Sequence, residues 1–520
     1  MKALARSERH QASNPRSSKS LIGGTTVLLS SRAIAAAFSL AGTVLVAHAL
    51  SLSKYGSFVF VFTLLGLLGL LADFETTRVV LADLANEGDD QLEAIGGRFF
   101  VFRIALGTVG YALALLIVVV GPYTHQEIEG VAIGGLSFFI ASGLWAVISV
   151  CQARLWLRAI GVAIVVGAVV QLAVIVVLYA SGAGTFLNYI VAYVLSDAVA
   201  LVVILIAIRN SFRVRPRVDL SRWRRWVAHA APLAVGTALG TLYFRVDSLM
   251  LTLRLSGVRS RDAVALYNVG YKFSDLLAFL APALMGATLP LLVRAWPSDS
   301  ARFRGIVRQT VVIVVMVAAF ATALFGVLAQ PIIHTVFPQN FTAAAAPARW
   351  LVAGQALNFL TQISYVTLVS VGRRGKYPIV TLLGLVLNVA LNWWLIGTHG
   401  VMGAAVATVI TEVFVLVLLV GLVRDLPVWP LPWRAISVVA ISTTAAAFTA
   451  YGVERVAGWI GAATAATVVY LGALHVLGVD GPGGLTAFVN SSRSLVAIDP
   501  SESAAGAGAA LASPTGELPD

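Results

Sequence analysis

The sequence predicts an all-α, polytopic membrane protein with fourteen transmembrane helices and both termini in the cytoplasm. Two pseudo-symmetric six-helix lobes are followed by two further helices. Three observations lead there: an apolar composition sustained along the whole chain, an alternation of basic residues between successive loops, and an internal repeat. Of the 520 residues, 59% are hydrophobic and 12% charged, with a mean hydropathy of +0.89. A soluble domain carries about a quarter charged residues. The single cysteine, Cys151, excludes an internal disulfide, and no Cys/His spacing suggests a metal.

A helix needs about 20 apolar residues to cross about 30 Å of hydrocarbon. Runs of that kind lie near 24–49, 56–77, 99–121, 129–150, 159–180, 185–208 and 229–253, then near 263–290, 308–328, 346–371, 377–396, 400–423, 434–452 and 456–478. The first run is too long for a signal-peptide core. AHA at 47–49 loosely resembles a cleavage site, and an uncleaved first span is the expectation. The expected segments are a cytoplasmic disordered tail (1–20), an N-lobe (21–208), a basic cytoplasmic linker (209–225), a C-lobe (226–424), the last two spans (425–479) and a second disordered tail (480–520).

Lysine and arginine orient the spans. With the N-tail inside, the cytoplasmic segments hold 26 of the 36 basic residues, seven of them between Arg209 and Arg225. The outer loops hold five: Lys54, Arg254, Arg259, Arg261 and Arg455. Only the loop around 254–262 goes against the rule. The net charge of +12 is thus mostly a topology signal, and nucleic acid is not an expected partner. The outer loops are also too short to host an extracytoplasmic active site.

The repeat runs across the basic linker. YIVAYVLSDAVALVVILIAIR (189–209) aligns without a gap on AAVATVITEVFVLVLLVGLVR (404–424), so that Ser196–Asp197 recurs as Thr411–Glu412 at an offset of 215. One span earlier, 165–178 aligns on 382–395 at an offset of 217, pairing Gly167 with Gly384 and Gln171 with Asn388. Matched spans run in the same direction, so the repeat is parallel. In transporters such repeats place a substrate site between lobes at mid-depth, with alternating access.

Several stretches resemble one family. GRRGKYPIVTLLGLVLNVALNWWLIGTHGVMGAAVATVITE (372–412) is similar to the second-lobe signature of bacterial polysaccharide flippases. These form the Wzx-like branch of the multidrug/oligosaccharidyl-lipid/polysaccharide exporter superfamily. AHALSLSKYGSFVFVFTLLGLLGLLADF (47–74) resembles the family's first hairpin, with Tyr55-Gly56 at its turn. FRVDSLML (244–251) and LYNVGYKFSDLLAFLAPALMGATLPLLVR (266–294) resemble its seventh and eighth spans. SLSKYG departs from a common Gly-Pro pair in that first turn, and DFETTR (73–78) is unusually acidic. The resemblance covers residues 21–425 and implies export of a lipid-linked oligosaccharide to the outer leaflet.

Such a substrate carries two phosphates, which intramembrane cations would stabilise. Five basic residues fall outside the loops: Arg32, Arg103, Arg245, Lys272 and Arg349. Arg103 and Arg349 sit near span ends and are expected to snorkel to the interface. Arg32, Arg245 and Lys272 lie on the first, seventh and eighth spans, which the resemblance places around a central cavity. They are the expected substrate-binding residues.

Asp73, Glu75, Asp247 and Asp275 are expected to couple an ion or to form structural ion pairs. Asp73 or Glu75 would meet Arg32, Asp275 is i+3 from Lys272, and Asp247 would look toward Lys272. Asp247 lies about 200° around the helix from Arg245, so the two do not face each other. Asp197 with Gln171, and Glu412 with Asn388, are expected interhelical hydrogen bonds, with proton coupling as the alternative role. Pro282 and Pro290 around Gly286 suggest a bent helix.

No cofactor is expected beyond coupling to an H+ or Na+ gradient or to the membrane potential. Partners would be the lipid-linked oligosaccharide, membrane lipids, and a polysaccharide polymerase and glycosyltransferases. A multidrug/cation antiporter of the same superfamily and a peptidoglycan-precursor flippase are alternatives. A membrane glycosyltransferase or polymerase would need a large outer loop, and no nucleophile–base pair or nucleotide motif is present, so the expectation is a non-enzyme.

Overall fold

The computed structural model describes residues 15–86, 89–212, 214–278, 280–426 and 432–479. Apart from residues 15–20, the two expected tails lie outside the described residues. The described chain is helical with no strands. Ten helical stretches among these residues are long and apolar enough to cross a membrane.

The first unit comprises residues 1–265. It runs through α1 (Pro15–Ala49), α2 (Leu52–Asp73), α3 (Thr76–Asn86), α4 (Asp89–Val120), α5 (His125–Gly134), α6 (Ser137–Ala153), α7 (Leu157–Ala180), α8 (Phe186–Ile208) and α9 (Leu220–Arg254). The span expected at 129–150 is therefore two helices, α5 and α6. The turn expected at Tyr55-Gly56 falls instead at Leu50–Ser51, and Tyr55 is buried in the first turns of α2. The short helix α3 was not anticipated. Phe74 and Glu75 hold positive φ of 47° and 53°, a conformation that bulky residues rarely adopt, and this turns the chain sharply after α2.

Within this unit α1 packs on α7, α7 on α8, and α4 on α6. The helix α9 carries the expected seventh span and packs on α2 and α3, so it groups with the first six spans. It begins at Leu220, which makes 220–225 of the expected linker helical. Trp226 anchors this packing. Its ring meets Phe99 edge-on at 5.8 Å and lies 5.7 Å from Phe102, and its Nε1 donates to Asp83 Oδ2 at 2.9 Å.

The second unit, residues 266–520, contains most of α10 (Gly257–Ala278), then α11 (Leu280–Ala295), α12 (Ser300–Val336), α13 (Ala345–Ser370), α14 (Tyr377–His399), α15 (Val401–Leu422) and α16 (Trp433–Leu477). The expected eighth span covers most of α10 and α11; residue 279, between them, lies outside the described residues. The last two expected spans form one helical element broken at Gly458, whose φ of 66° and ψ of −179° are non-helical. Here α13 packs on α12 and α15, α14 on α15, and α16 on α12. The Tyr470 ring of α16 stacks on Phe320 at 4.4 Å, and its hydroxyl donates to the Met316 carbonyl at 2.8 Å.

The repeat is also written in the backbone. Helix α6 ends with Trp156 N–H bonded to Cys151 O at 2.8 Å, across Leu155 at φ 58°. Helix α13 ends with Arg373 N–H bonded to Leu368 O at 2.9 Å, across Gly372 at φ 80°. This is a Schellman-type stop, in which a left-handed residue lets the chain cap its own carbonyls. All three positions differ by 217, the offset read from the following span.

Trp226→Ala should destabilise the protein by about 3–5 kcal/mol, as expected for emptying a large buried aromatic site. Trp226→Phe should cost about 1–3 kcal/mol, chiefly the lost bond to Asp83. Thermal melting of the detergent-purified protein distinguishes the two.

Candidate functional site

A cavity of about 540 Å³ opens inside the first unit. Its polar lining comes from Asp73 at the end of α2, Arg103 on α4, Gln171 on α7, and Tyr193 and Asp197 on α8. Phe62, Phe138 and Trp145 supply apolar walls. The strained turn at Phe74–Glu75 fixes Asp73: the Thr76 hydroxyl donates to its backbone carbonyl at 2.7 Å, and the Thr77 hydroxyl to its Oδ1 at 2.8 Å. Arg103 Nη1 also donates to Asp73 Oδ1, closing an ion pair.

Two expectations are corrected here. Arg103 does not snorkel; it is buried at 4% exposure. Helix α4 starts at Asp89 rather than 99, so Arg103 lies about 21 Å along it at 1.5 Å per residue, away from the helix end. Consequently Asp73 pairs with Arg103 and not with Arg32. Glu75 pairs with Arg78 at 3.0 Å within one helical turn, and Arg32 is exposed on α1.

Asp197 and Gln171 line the same cavity, but the hydrogen bond expected between them does not form. Gln171 Nε2, the donor it needs, is buried without a hydrogen-bond partner, and the Tyr193 hydroxyl lies against Thr43 and Gln171. The matching acid of the second unit is handled differently. Glu412 is buried, and both of its oxygens accept from Asn358 Nδ2 at 3.3 Å. The amide that meets Glu412 is thus Asn358, where Asn388 was expected; Asn388 Oδ1 accepts from Asn392 Nδ2 at 3.0 Å, one turn along α14. The 217-residue offset at the ends of α6 and α13 puts Asn358 in register with Ala141. Ala141 lines the first-unit cavity. A methyl group stands where the second unit has a capping amide, so Asp197 faces open volume.

A second polar centre was missed from the sequence. Glu127, buried at 4% exposure, begins α5 in a capping box with Thr124. Its Oε2 accepts from the Thr124 amide and hydroxyl, each at 2.8 Å. Its Oε1 accepts from the Ser57 hydroxyl at 2.8 Å and from Arg261 Nε at 3.0 Å. The start of α10 is pressed against α2 here: a Cβ on Gly56 would lie 1.9 Å from the Arg261 carbonyl oxygen. Arg261, one of the three basic residues that put 254–262 at odds with the charge rule, is thus neutralised within the fold. Two signals were available, the Thr124-x-x-Glu127 pattern and the misplaced loop charge itself.

The remaining expected site residues fall on two helices. On α9, Asp247 is fully buried and Arg245 half-buried, as two faces about 200° apart require. Lys272 and Asp275 are both half-buried on α10. Pro290 lies inside α11. No group of three or more metal-ligating side chains occurs among the described residues.

This multi-pass helical fold is shared with flippases and transporters of known structure. The chain belongs to the polysaccharide biosynthesis protein family, whose sequence pattern matches residues 21–296. The MatE pattern matches residues 232–394. No curated protein matches the chain. Among solved structures it is similar to the lipid II flippase MurJ in an inward closed conformation, with a TM-score of 0.68, 12% identity, and 88% of this chain and 98% of that one covered. An inward-facing multidrug resistance MATE family transporter of the MOP superfamily gives a TM-score of 0.60 at 14% identity, covering 78% and 95%. A MOP superfamily transporter from Pyrococcus furiosus gives 0.53 at 14% identity, covering 81% and 96%.

Arg261→Ala should lower stability by about 3 kcal/mol, since it leaves the buried Glu127 carboxylate short of its counter-charge. Adding Glu127→Gln should recover part of that loss. Melting temperatures of the single and double variants in detergent check both outcomes.

Proposed function

We propose that the protein is a flippase that moves a polyprenyl-diphosphate-linked oligosaccharide from the cytoplasmic to the outer leaflet of a bacterial cytoplasmic membrane, by alternating access, for cell-surface polysaccharide synthesis. The observation that carries this reading is the family match over residues 21–296. The intramembrane cations agree with it. Arg245 and Lys272 are half-buried on α9 and α10, and a cation on a spanning helix is retained for a functional reason. With Arg32 they are the proposed contacts for the diphosphate. Glycosyltransferases upstream of the transfer and a polysaccharide polymerase downstream of it are the proposed partners.

Coupling to an H+ or Na+ gradient, or to the membrane potential, is assigned to Asp197. Asp73 is held by Arg103 and Glu75 by Arg78, which supports structural roles for those two acids. Asp197 instead faces a cavity large enough to admit water or a cation. The same acidic cavity favours, as a second reading, a multidrug/cation antiporter. The likeness to the lipid II flippase, at 12% identity, speaks for the fold alone.

In a bacterial host lacking its own exporter, this protein should restore surface glycan. Arg245→Ala should reduce that glycan at least tenfold at unchanged membrane abundance; normal export would remove Arg245 from the substrate path. Efflux of cationic dyes with no glycan export would favour the antiporter. Ala141→Asn, which places over Asp197 the amide that covers Glu412, should slow transport while leaving the melting temperature within a few degrees of the parent. Export by Ala141→Asn at the parental rate would count against Asp197 as the coupling group.

A further inference from the structure

On the surface of the first unit, α4, α8 and the segment after α8 enclose an open groove of about 430 Å³. Phe100, Leu205, Phe212 and Val214 make its apolar walls, and Arg209 and Asn210 its polar end. The groove continues a stripe on α8 that faces outward: Val202 and Ile206 are 53% and 57% exposed, and Arg209 follows one turn later. Apolar side chains this exposed on a spanning helix face acyl chains, and the arginine closes the stripe at the level expected for cytoplasmic headgroups.

The groove's wall is rigidly placed. Phe212 is buried, and its ring sits where a Cβ on Gly96 would approach within 2.8 Å. The Arg215 carbonyl oxygen lies 1.9 Å from where a Cβ on Gly97 would stand. Two ion pairs tie the segment down, Arg215 Nε to Glu93 at 3.0 Å and Arg98 Nε to Asp219 at 3.3 Å. The Ser221 hydroxyl and the Arg222 amide hold the Asp219 carboxyl below its ordinary range, so it remains an anion for Arg98. Asp83 is engaged by Trp226. Among the described side chains, Glu93, Asp219 and Asp83 are thus occupied, while Arg209, Arg217, Arg224 and Arg225 stay exposed.

We propose that this groove binds one anionic phospholipid of the cytoplasmic leaflet, its phosphate on Arg209 and Asn210 and the top of an acyl chain along Phe100 and Leu205. Charge complementarity selects an anionic headgroup, and the four apolar walls select a lipid over a soluble phosphate. The groove opens on the outward stripe of α8, whereas the cavity lined by Asp197 lies among the helices, so the surrounding membrane is the source. A basic pocket between spanning helices on the cytoplasmic side is a recurrent way of holding anionic lipids.

The full-length protein in detergent, titrated with phosphatidylglycerol or phosphatidylcholine and examined by native mass spectrometry, provides the test. One phosphatidylglycerol should be retained in preference to phosphatidylcholine. Arg209→Gln should weaken that retention about fivefold, the effect of one basic residue at an anionic surface, and Arg455→Gln, in the second unit, should leave it unchanged. A matched melting curve establishes that Arg209→Gln is folded. Equal retention of both lipids, or no effect of Arg209→Gln, would overturn the proposal. So would displacement of phosphatidylglycerol by equimolar undecaprenyl phosphate, which would assign the groove to the substrate's carrier. Glycan export is read separately, so loss of lipid selectivity and loss of the flippase reading are distinguishable.

Discussion

A charge held among spanning helices needs a partner, because an isolated carboxylate or guanidinium in a low-dielectric interior costs several kcal/mol. Much of this structure follows from that constraint. Asp73 ends α2 and binds Arg103 deep in α4; Glu127 opens α5 and gathers Ser57, Thr124 and Arg261; Glu412 on α15 takes the amide of α13. Each contact joins helices distant in sequence, and each determines how those helices can pack. Apolar surfaces alone would not do so, since lipid tails solvate leucine as well as another helix does.

The two halves of the repeat share a backbone and differ in their polar contents. The matched stops at Leu155 and Gly372 show that α6 and α13 end in the same way. Yet Ala141 and Asn358, in register at that offset, lead to opposite outcomes for their neighbouring acids. Asn358 covers Glu412, and Ala141 leaves Asp197 facing a cavity. Duplication preserved the frame, and one side chain decided which copy keeps an accessible carboxylate.

Close backbone approach is the second recurring device. Gly56 and Gly97 each admit a carbonyl oxygen to a position that a Cβ would occupy, from Arg261 and Arg215 respectively. The first carbonyl belongs to the start of α10 and the second to the segment after α8, and both of those arginines also pair with an acid, Glu127 and Glu93. Glycine allows the contact and the ion pair orients it. In this way segments with little apolar surface become fixed parts of the fold.

The helical membrane class and the 217-residue offset that recurs at the ends of α6 and α13 were legible in the sequence, because they rest on properties local to the chain: apolar length and periodic polar positions. The separation of Arg245 from Asp247 was legible for the same reason, since helical geometry alone sets it. Partner choice was not. Arg103 was read as interfacial because the start of α4 depends on an amphipathic extension that hydropathy does not register. Arg32 was matched to Asp73 by depth, although depth does not say which helices are neighbours. Asn388 was matched to Glu412 by repeat position, whereas the amide within reach sits on α13. Only the tertiary structure decided these pairings, because a hydrogen bond acts over about 3 Å and which side chains come that close is a property of the packed helices.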